Sequence, residues 1–278
     1  MRSVRTLILF LLAASLPAIA SADVTWTTGA PGGTSGGAVN FEGLPGDALL
    51  TGVLAADFGG DRAGGSLGSD YTASMWINSD SAADNEWWLG NNGRGIHFGI
   101  QGGSTLEVGH WSADSSGTTV VPAGTWVHAT FTYDADGGVA ADGTTTGLQS
   151  IYYNGVLEGT AVNDAPLESG GEIQLGARRG GIGPGFNGSL DDVALWDSVL
   201  SATDIFDLFD GTQTALDLGA GAYYDFEDDQ LGTTAAFQGS GINGNGGALV
   251  GITPIPEPSS LAILLGLGAL GFVRRKRS

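Results

Sequence analysis

Three carboxylates, Asp134, Asp136 and Asp142, stand in the glycine-rich run Asp134-Ala-Asp-Gly-Gly-Val-Ala-Ala-Asp142-Gly143. Carboxylate oxygens are hard ligands, and the glycines let a backbone fold round an ion, so the run has the chemistry of a Ca2+ loop. It lacks the remaining spacing and the terminal Glu of an EF-hand, and it reads equally as a solvated turn in an acidic protein. Trp87 and Trp88, in a polar stretch, and Trp111, beside His110, are candidates to stack indole faces on sugar rings. Neighbouring strand residues point to opposite faces, which would turn one of Trp87 and Trp88 inward. Trp76, Trp126 and Trp196 lie in strand-like runs and read as core.

Other strings imitate catalytic motifs without their context. Gly33-Thr-Ser35-Gly-Gly37 has the spacing of a nucleophile elbow, but no strand precedes it and no helix follows. Gly183 to Gly188 and Gly266 to Gly271 have dinucleotide-fingerprint spacing, yet the first opens no helix and the second lies in an apolar segment. His97, His110 and His128 show no zinc-ligand spacing and read as surface or sheet residues. Glycoside hydrolysis needs two facing carboxylates, and no Glu-x-Asp-x-x-Glu run is present; Asp225-Phe-Glu227-Asp-Asp229 has the wrong order.

The elements that must position such residues are announced by composition. The chain has 278 residues, 49 of them glycine, and 42% hydrophobic residues with few long charged side chains. This fits short strands and tight turns, because glycine disfavours helix. One β-sandwich can account for the whole length. Six of the ten basic residues lie at the two ends, so the middle sets Arg62, Arg94, Arg178 and Arg179 against 29 of the thirty carboxylates, all but Glu257, a charge near −25. Such a field repels phosphate backbones, which argues against nucleic acid and anionic lipid as partners. With no cysteine, neither disulfides nor thiolate metal sites are available.

Residues 1–22 read as a signal peptide: Arg2 and Arg5, an apolar run from Leu7 to Leu16, then small residues at Ala18, Ala20 and Ala22 for signal peptidase. Residues 256–278 form a three-part tail: Pro256-Glu257-Pro258, an apolar helix over 259–273, and the basic end Arg274-Arg275-Lys276-Arg277. Basic residues after an apolar segment stay cytoplasmic, which places the acidic body outside the inner membrane. The tail resembles the PEP-CTERM sorting signal of bacteria. That resemblance implies recognition by an exosortase, transient anchoring in the inner membrane, and delivery to the cell surface or extracellular matrix.

Between the ends, residues 23–37 read as a leading segment with an edge strand, and 231–255 as a glycine-rich linker. Tyr71 to Ile77 and Trp126 to Tyr133 alternate with the period of a strand. In the second, Val127, Ala129, Phe131 and Tyr133 face one way and Trp126, His128, Thr130 and Thr132 the other. Asn154-Gly155 between apolar runs predicts a two-residue hairpin turn. Glu172 to Leu175, Gly188 to Trp196 and Ala222 to Phe226 read as further strands. Ser201 as N-cap, Asp204 three residues on, and Ile205, Leu208 and Phe209 on one face predict a helix over 202–209.

The order of Tyr71-Thr-Ala-Ser-Met-Trp-Ile-Asn78, Thr125 to Asp134, Ile151 to Leu157, Phe186 to Trp196 and Leu200 to Ile205 resembles the LamG-like, concanavalin A-like jelly roll. It implies an all-β, two-sheet antiparallel sandwich over residues 38–230 with one short helix. It also implies a rim Ca2+ in some relatives, and an acidic pair matched by Asp191-Asp192, which sits in a strand pattern and reads as structural. The sequence-level expectation is a non-enzymatic surface module that binds carbohydrate or another surface polymer, with Ca2+ as its candidate ion. A purely structural matrix component and a glycoside hydrolase or lyase of the same fold stay open.

Overall fold

The computed structural model describes residues 25–31, 36–44, 48–59, 68–91, 95–110, 114–163, 170–178, 185–226, 237–238 and 250–251. Residues 1–22, expected as a signal peptide, and the tail at 256–278 lie outside these residues. Among the described residues no helix is long and apolar enough to cross a membrane.

Two antiparallel sheets face each other. The first runs β1 (Thr25–Thr28), β2 (Gly37–Glu42), β13 (Asn187–Trp196), β4 (Tyr71–Ser79), β9 (Val127–Val139), β10 (Thr145–Tyr153) and β11 (Val156–Asn163). From it, β14 (Ala222–Tyr224) pairs with β13, and β15 (Phe237–Gln238) pairs with β14. The second runs β16 (Val250–Gly251), β3 (Leu49–Leu54), β12 (Glu172–Leu175), β5 (Glu86–Asn91), β6 (His97–Gln101), β7 (Thr105–Gly109) and β8 (Asp114–Val120). β1 is the edge strand expected of the leading segment. Within the stretch expected as a linker, β15 and β16 each add a dipeptide of strand to the body.

The core lies between the sheets, with Phe41, Met75, Ile77, Phe131 and Leu190 from the first packed against Leu89, Phe98, Ile100, Leu106, Val108 and Ile173 from the second. Val127, Ala129, Phe131 and Tyr133 all belong to it, as the alternation along β9 predicts. The other face of β9 is buried too: His128, Thr130 and Thr132 are at most 4% exposed. The reason is a second cluster stacked outside the first sheet, where Tyr152, Trp196, Leu200, Ile205 and Tyr223 close over it. That cluster is anchored by α1 (Ala202–Asp210), whose capping box joins Ser201 and Asp204 and whose C-cap Gly211 takes the left-handed conformation.

The hairpin between β10 and β11 turns at Asn154 and Gly155 with φ of 48° and 76°. Positive φ at both central residues is what a twisted two-residue hairpin demands. Asn154 also ties the turn to the sheet, since its side-chain oxygen accepts from the His128 amide at 2.9 Å. The Asp191-Asp192 pair is structural: Asp191 is fully buried and accepts from the Ala30 amide at 2.8 Å, while Asp192 accepts from the Tyr223 hydroxyl.

Candidate functional site

On the face of the seven-stranded sheet that turns away from the core, cross-strand register builds two rows. One aligns Gln174, Gly90, His97, Gly109 and Asp114 across β12, β5, β6, β7 and β8. The next aligns Trp87, Gly99, Glu107 and Ser116. The intervening residues Phe98, Ile100, Leu106 and Val108 point into the core, as the two-residue period requires.

Glycines floor this face, and larger side chains lie across them. A Cβ on Gly99 would stand 2.1 Å from the Glu86 carbonyl oxygen, and one on Gly90 would stand 2.8 Å from Arg178 Cα. Over that floor Trp87 meets His97 edge-on, with centroids 4.8 Å apart, and the Arg178 guanidinium sits 4.6 Å from the centre of the Trp87 ring. This is a cation–π contact to a desolvated ring.

His97, Glu107 and Asp114 converge beside this indole. His97 Nε2 and Asp114 Oδ1 are 3.2 Å apart, and one ligand atom from each of the three residues lies within 4.8 Å of the others. His97 and Glu107 are 4% and 6% exposed, whereas the Asp114 side chain is 42% exposed. Glu107 Oε2 accepts a hydrogen bond from Ser116 Oγ at 3.2 Å. Burial, reinforced by the negative charge of Asp114, pushes the Glu107 carboxyl above its usual range. The hydrogen bond from His97 chiefly holds Asp114 below its own. Two adjacent carboxylates are therefore driven apart in acidity by their surroundings.

Of the candidate site residues singled out from sequence, only Trp87 lies on this face. Trp87 and Trp88 are in β5, not in a polar loop, and both are 0% exposed. Trp88 packs in the core against Phe186, and Trp87 lies beneath Arg178, so neither presents a free ring face to a sugar. Trp111 lies outside the described residues. Asp134, Asp136 and Asp142 are not gathered: the first two sit within β9, and the third caps its own turn by accepting from the Thr144 amide and hydroxyl at 3.0 and 2.7 Å. Their stretch is an extended paired hairpin, Thr145 opposite Val139, rather than an open ion loop. Among the described residues the group able to hold a metal ion is instead His97, Glu107 and Asp114. A local signal for it exists in His97-Phe-Gly99 and Glu107-Val-Gly109, two polar–apolar–glycine triplets whose glycines look like loops.

The opposite side of the molecule holds a cavity of about 30 Å3 under α1, lined by Ser74, Trp76, His128, Asp192, Trp196 and Tyr223 among others. That volume suits water rather than a sugar ring. Ser74 Oγ and His128 Nε2 are 2.9 Å apart, but His128 Nδ1 is buried with no hydrogen-bond partner. A serine nucleophile needs a base oriented by a third group, and here that group is missing.

Residues 60–206 match the family profile described as the concanavalin A-like lectin/glucanases superfamily, and residues 254–278 match the PEP-CTERM protein-sorting motif. No curated protein sequence matches the chain. Among solved structures, a candidate carbohydrate-binding protein from Bacteroides ovatus is 17% identical with a TM-score of 0.50, covering 74% of this chain and 59% of that one. Domain 4 of the extracellular arabinanase AbnA from Geobacillus stearothermophilus, in complex with arabinotriose, is 18% identical with a TM-score of 0.46, covering 67% and 81%. The CBM40 of the Ruminococcus gnavus IT-sialidase, bound to α2,3-sialyllactose, is 16% identical with a TM-score of 0.41, covering 52% and 84%. At these identities the likeness is one of fold.

Proposed function

The chain belongs to the concanavalin A-like lectin/glucanases superfamily and carries a PEP-CTERM protein-sorting motif at residues 254–278, and from this premise we propose that it is a surface or matrix module that binds polysaccharide. The motif implies an exosortase-sorted extracellular protein. The observation that carries the binding reading is the glycine-floored outer face of the seven-stranded sheet, where hydrogen-bonding side chains run from buried His97 to exposed Asp114 with Arg178 at their flank. At the exposed end of this face the Asp114 carboxylate and the partly exposed Arg178 guanidinium match the donors and acceptors of sugar hydroxyls. The charge near −25 of the middle of the chain directs the choice to neutral or basic polymers, because it repels polyuronates and sialylated chains.

On a glycan array in Ca2+ buffer, the full-length protein should retain neutral or amino-sugar polysaccharides, the producer's own among them. Asp114→Ala and Arg178→Ala should each weaken binding about tenfold, the scale of one hydrogen bond to a charged group. Absence of binding to every polysaccharide tested, or equal binding by the double variant, would remove this reading and leave a structural matrix role.

One observation favours a second reading. Glu107 is held up and Asp114 down within 4.8 Å, which is the division of acidity that a retaining glycosidase uses between its acid and its nucleophile. Against it, Asp114 already accepts from His97, and Glu107 is almost wholly buried. The binding reading therefore expects no release of reducing sugar from any bound polysaccharide. Release that disappears in Glu107→Gln would establish the enzyme instead.

A further inference from the structure

Independently of the polysaccharide reading, we infer that His97, Glu107 and Asp114 bind a divalent transition-metal ion of the Zn2+ type. The three residues come from three successive strands, β6, β7 and β8, and their ligand atoms already lie within 4.8 Å of one another. Zinc bonds to imidazole nitrogen and carboxylate oxygen are about 2.0–2.2 Å long, which sets neighbouring ligands on a tetrahedral ion about 3.4 Å apart. The His97–Asp114 separation of 3.2 Å is close to that spacing. Glu107 places a ligand atom within 4.8 Å of both.

The sheet keeps the meeting point open. Gly109 stands between His97 and Asp114 in the cross-strand row, and a Cβ there would fall 2.3 Å from His97 Nε2 and 2.0 Å from Asp114 Oδ1. Any other residue at this place would crowd the ligand atoms of His97 and Asp114. The electrostatics agree, because two carboxylates face one guanidinium, that of Arg178, which leaves the group an excess of negative charge. Ser116 engages one oxygen of Glu107 and fixes the carboxylate as an outer partner of the site.

The donor set selects the ion. Ca2+ and Mg2+ take oxygen ligands, whereas an imidazole with two carboxylates suits Zn2+ and its first-row neighbours. Three protein ligands leave one position of a tetrahedral ion for water or an incoming hydroxyl. Such an ion would also staple the β6–β8 meander, whose interior glycines weaken its strands.

Isothermal titration of the chelator-treated full-length protein with ZnCl2 tests this, with MgCl2 and CaCl2 in parallel. One Zn2+ per chain is expected, with a dissociation constant on the order of micromolar or tighter and a higher melting temperature. Glu107→Gln and Asp114→Asn should each weaken binding at least about 100-fold, since even outer-shell partners of metal sites are worth 10–100-fold. Asp114 is the more exposed of the two, so Asp114→Asn keeps the test valid if Glu107→Gln folds poorly. Failure to bind Zn2+ at 1:1, equal affinity in both variants, or equal affinity for Ca2+ would overturn the site.

Discussion

Gly99→Ala is expected to destabilise the protein by about 3 kcal/mol or more, at the upper end of what overpacking costs. The added Cβ would lie 2.1 Å from the Glu86 carbonyl oxygen and 2.7 Å from the Trp87 ring. The first belongs to the neighbouring strand and is held by the ladder; the second belongs to an indole with no exposed surface. Relief requires β5 and β6 to separate or Trp87 to leave its place between Arg178 and His97. Gly109→Ala makes the contrast, because its Cβ meets the His97 imidazole and the Asp114 carboxylate, and the exposed Asp114 can swing toward solvent. It should cost about 1 kcal/mol while abolishing the His97–Asp114 pair and the metal affinity that depends on it. Denaturant midpoints at unchanged slope separate the two cases. A Gly99→Ala protein as stable as the parent would show that the glycine floor does not hold Trp87 in place.

This contrast also explains which parts of the molecule were legible in its sequence. Local rules wrote most of the strand Tyr71–Ser79, the first half of Val127–Val139 up to Tyr133, the Asn154-Gly155 hairpin and the Ser201-capped helix, and each was readable from a few adjacent residues. The ordered signatures pointed to the superfamily whose profile spans 60–206, and the three-part tail to the motif at 254–278. The β5–β8 meander was not readable, because its glycines imitate loops while serving as the floor for large side chains. Trp87 and Trp88 misled for a related reason. Ordinary strand alternation sends Trp88 into the core and Trp87 to the outer face, and both are buried there, where a polar neighbourhood had suggested exposure. The acidic run 134–142 looked like an ion loop because composition does not reveal that its carboxylates are distributed along a paired hairpin. His97, Glu107 and Asp114 meet only through the register of three strands, and register is a property of the sheet rather than of any window of sequence.

Acid should begin to destabilise this protein before its carboxylates are protonated, and His128 is the expected cause. The imidazole lies between the first sheet and α1, with ring centroids 5.1 Å from Trp76 and 6.1 Å from Phe209. Its Nε2 is paired with Ser74 Oγ at 2.9 Å, its Nδ1 has no partner, and Asp192 and Tyr223, which share its cavity, are bonded to each other. Burial pushes its pKa down from 6.5 to about 3. Between those values the unfolded chain holds a proton that the folded one does not, so stability is complete above pH 6.5 and drains as pH falls toward 3. At about 1.4 kcal/mol for each pH unit, the loss is about 3 kcal/mol by pH 4.5 and on the order of 4–5 kcal/mol by pH 3. Glu107, shifted upward, works in the opposite direction, since the fold holds its proton more tightly and gains stability on acidification. His128→Leu removes the titrating group while Ser74 keeps Thr130 as a hydroxyl partner at 2.8 Å. Its unfolding free energy should therefore change less between pH 7 and 4.5, by about 3 kcal/mol relative to the parent. Parallel pH profiles for the two proteins would mean that the buried imidazole gains its proton without unfolding, and that the space under α1 admits enough water to solvate it.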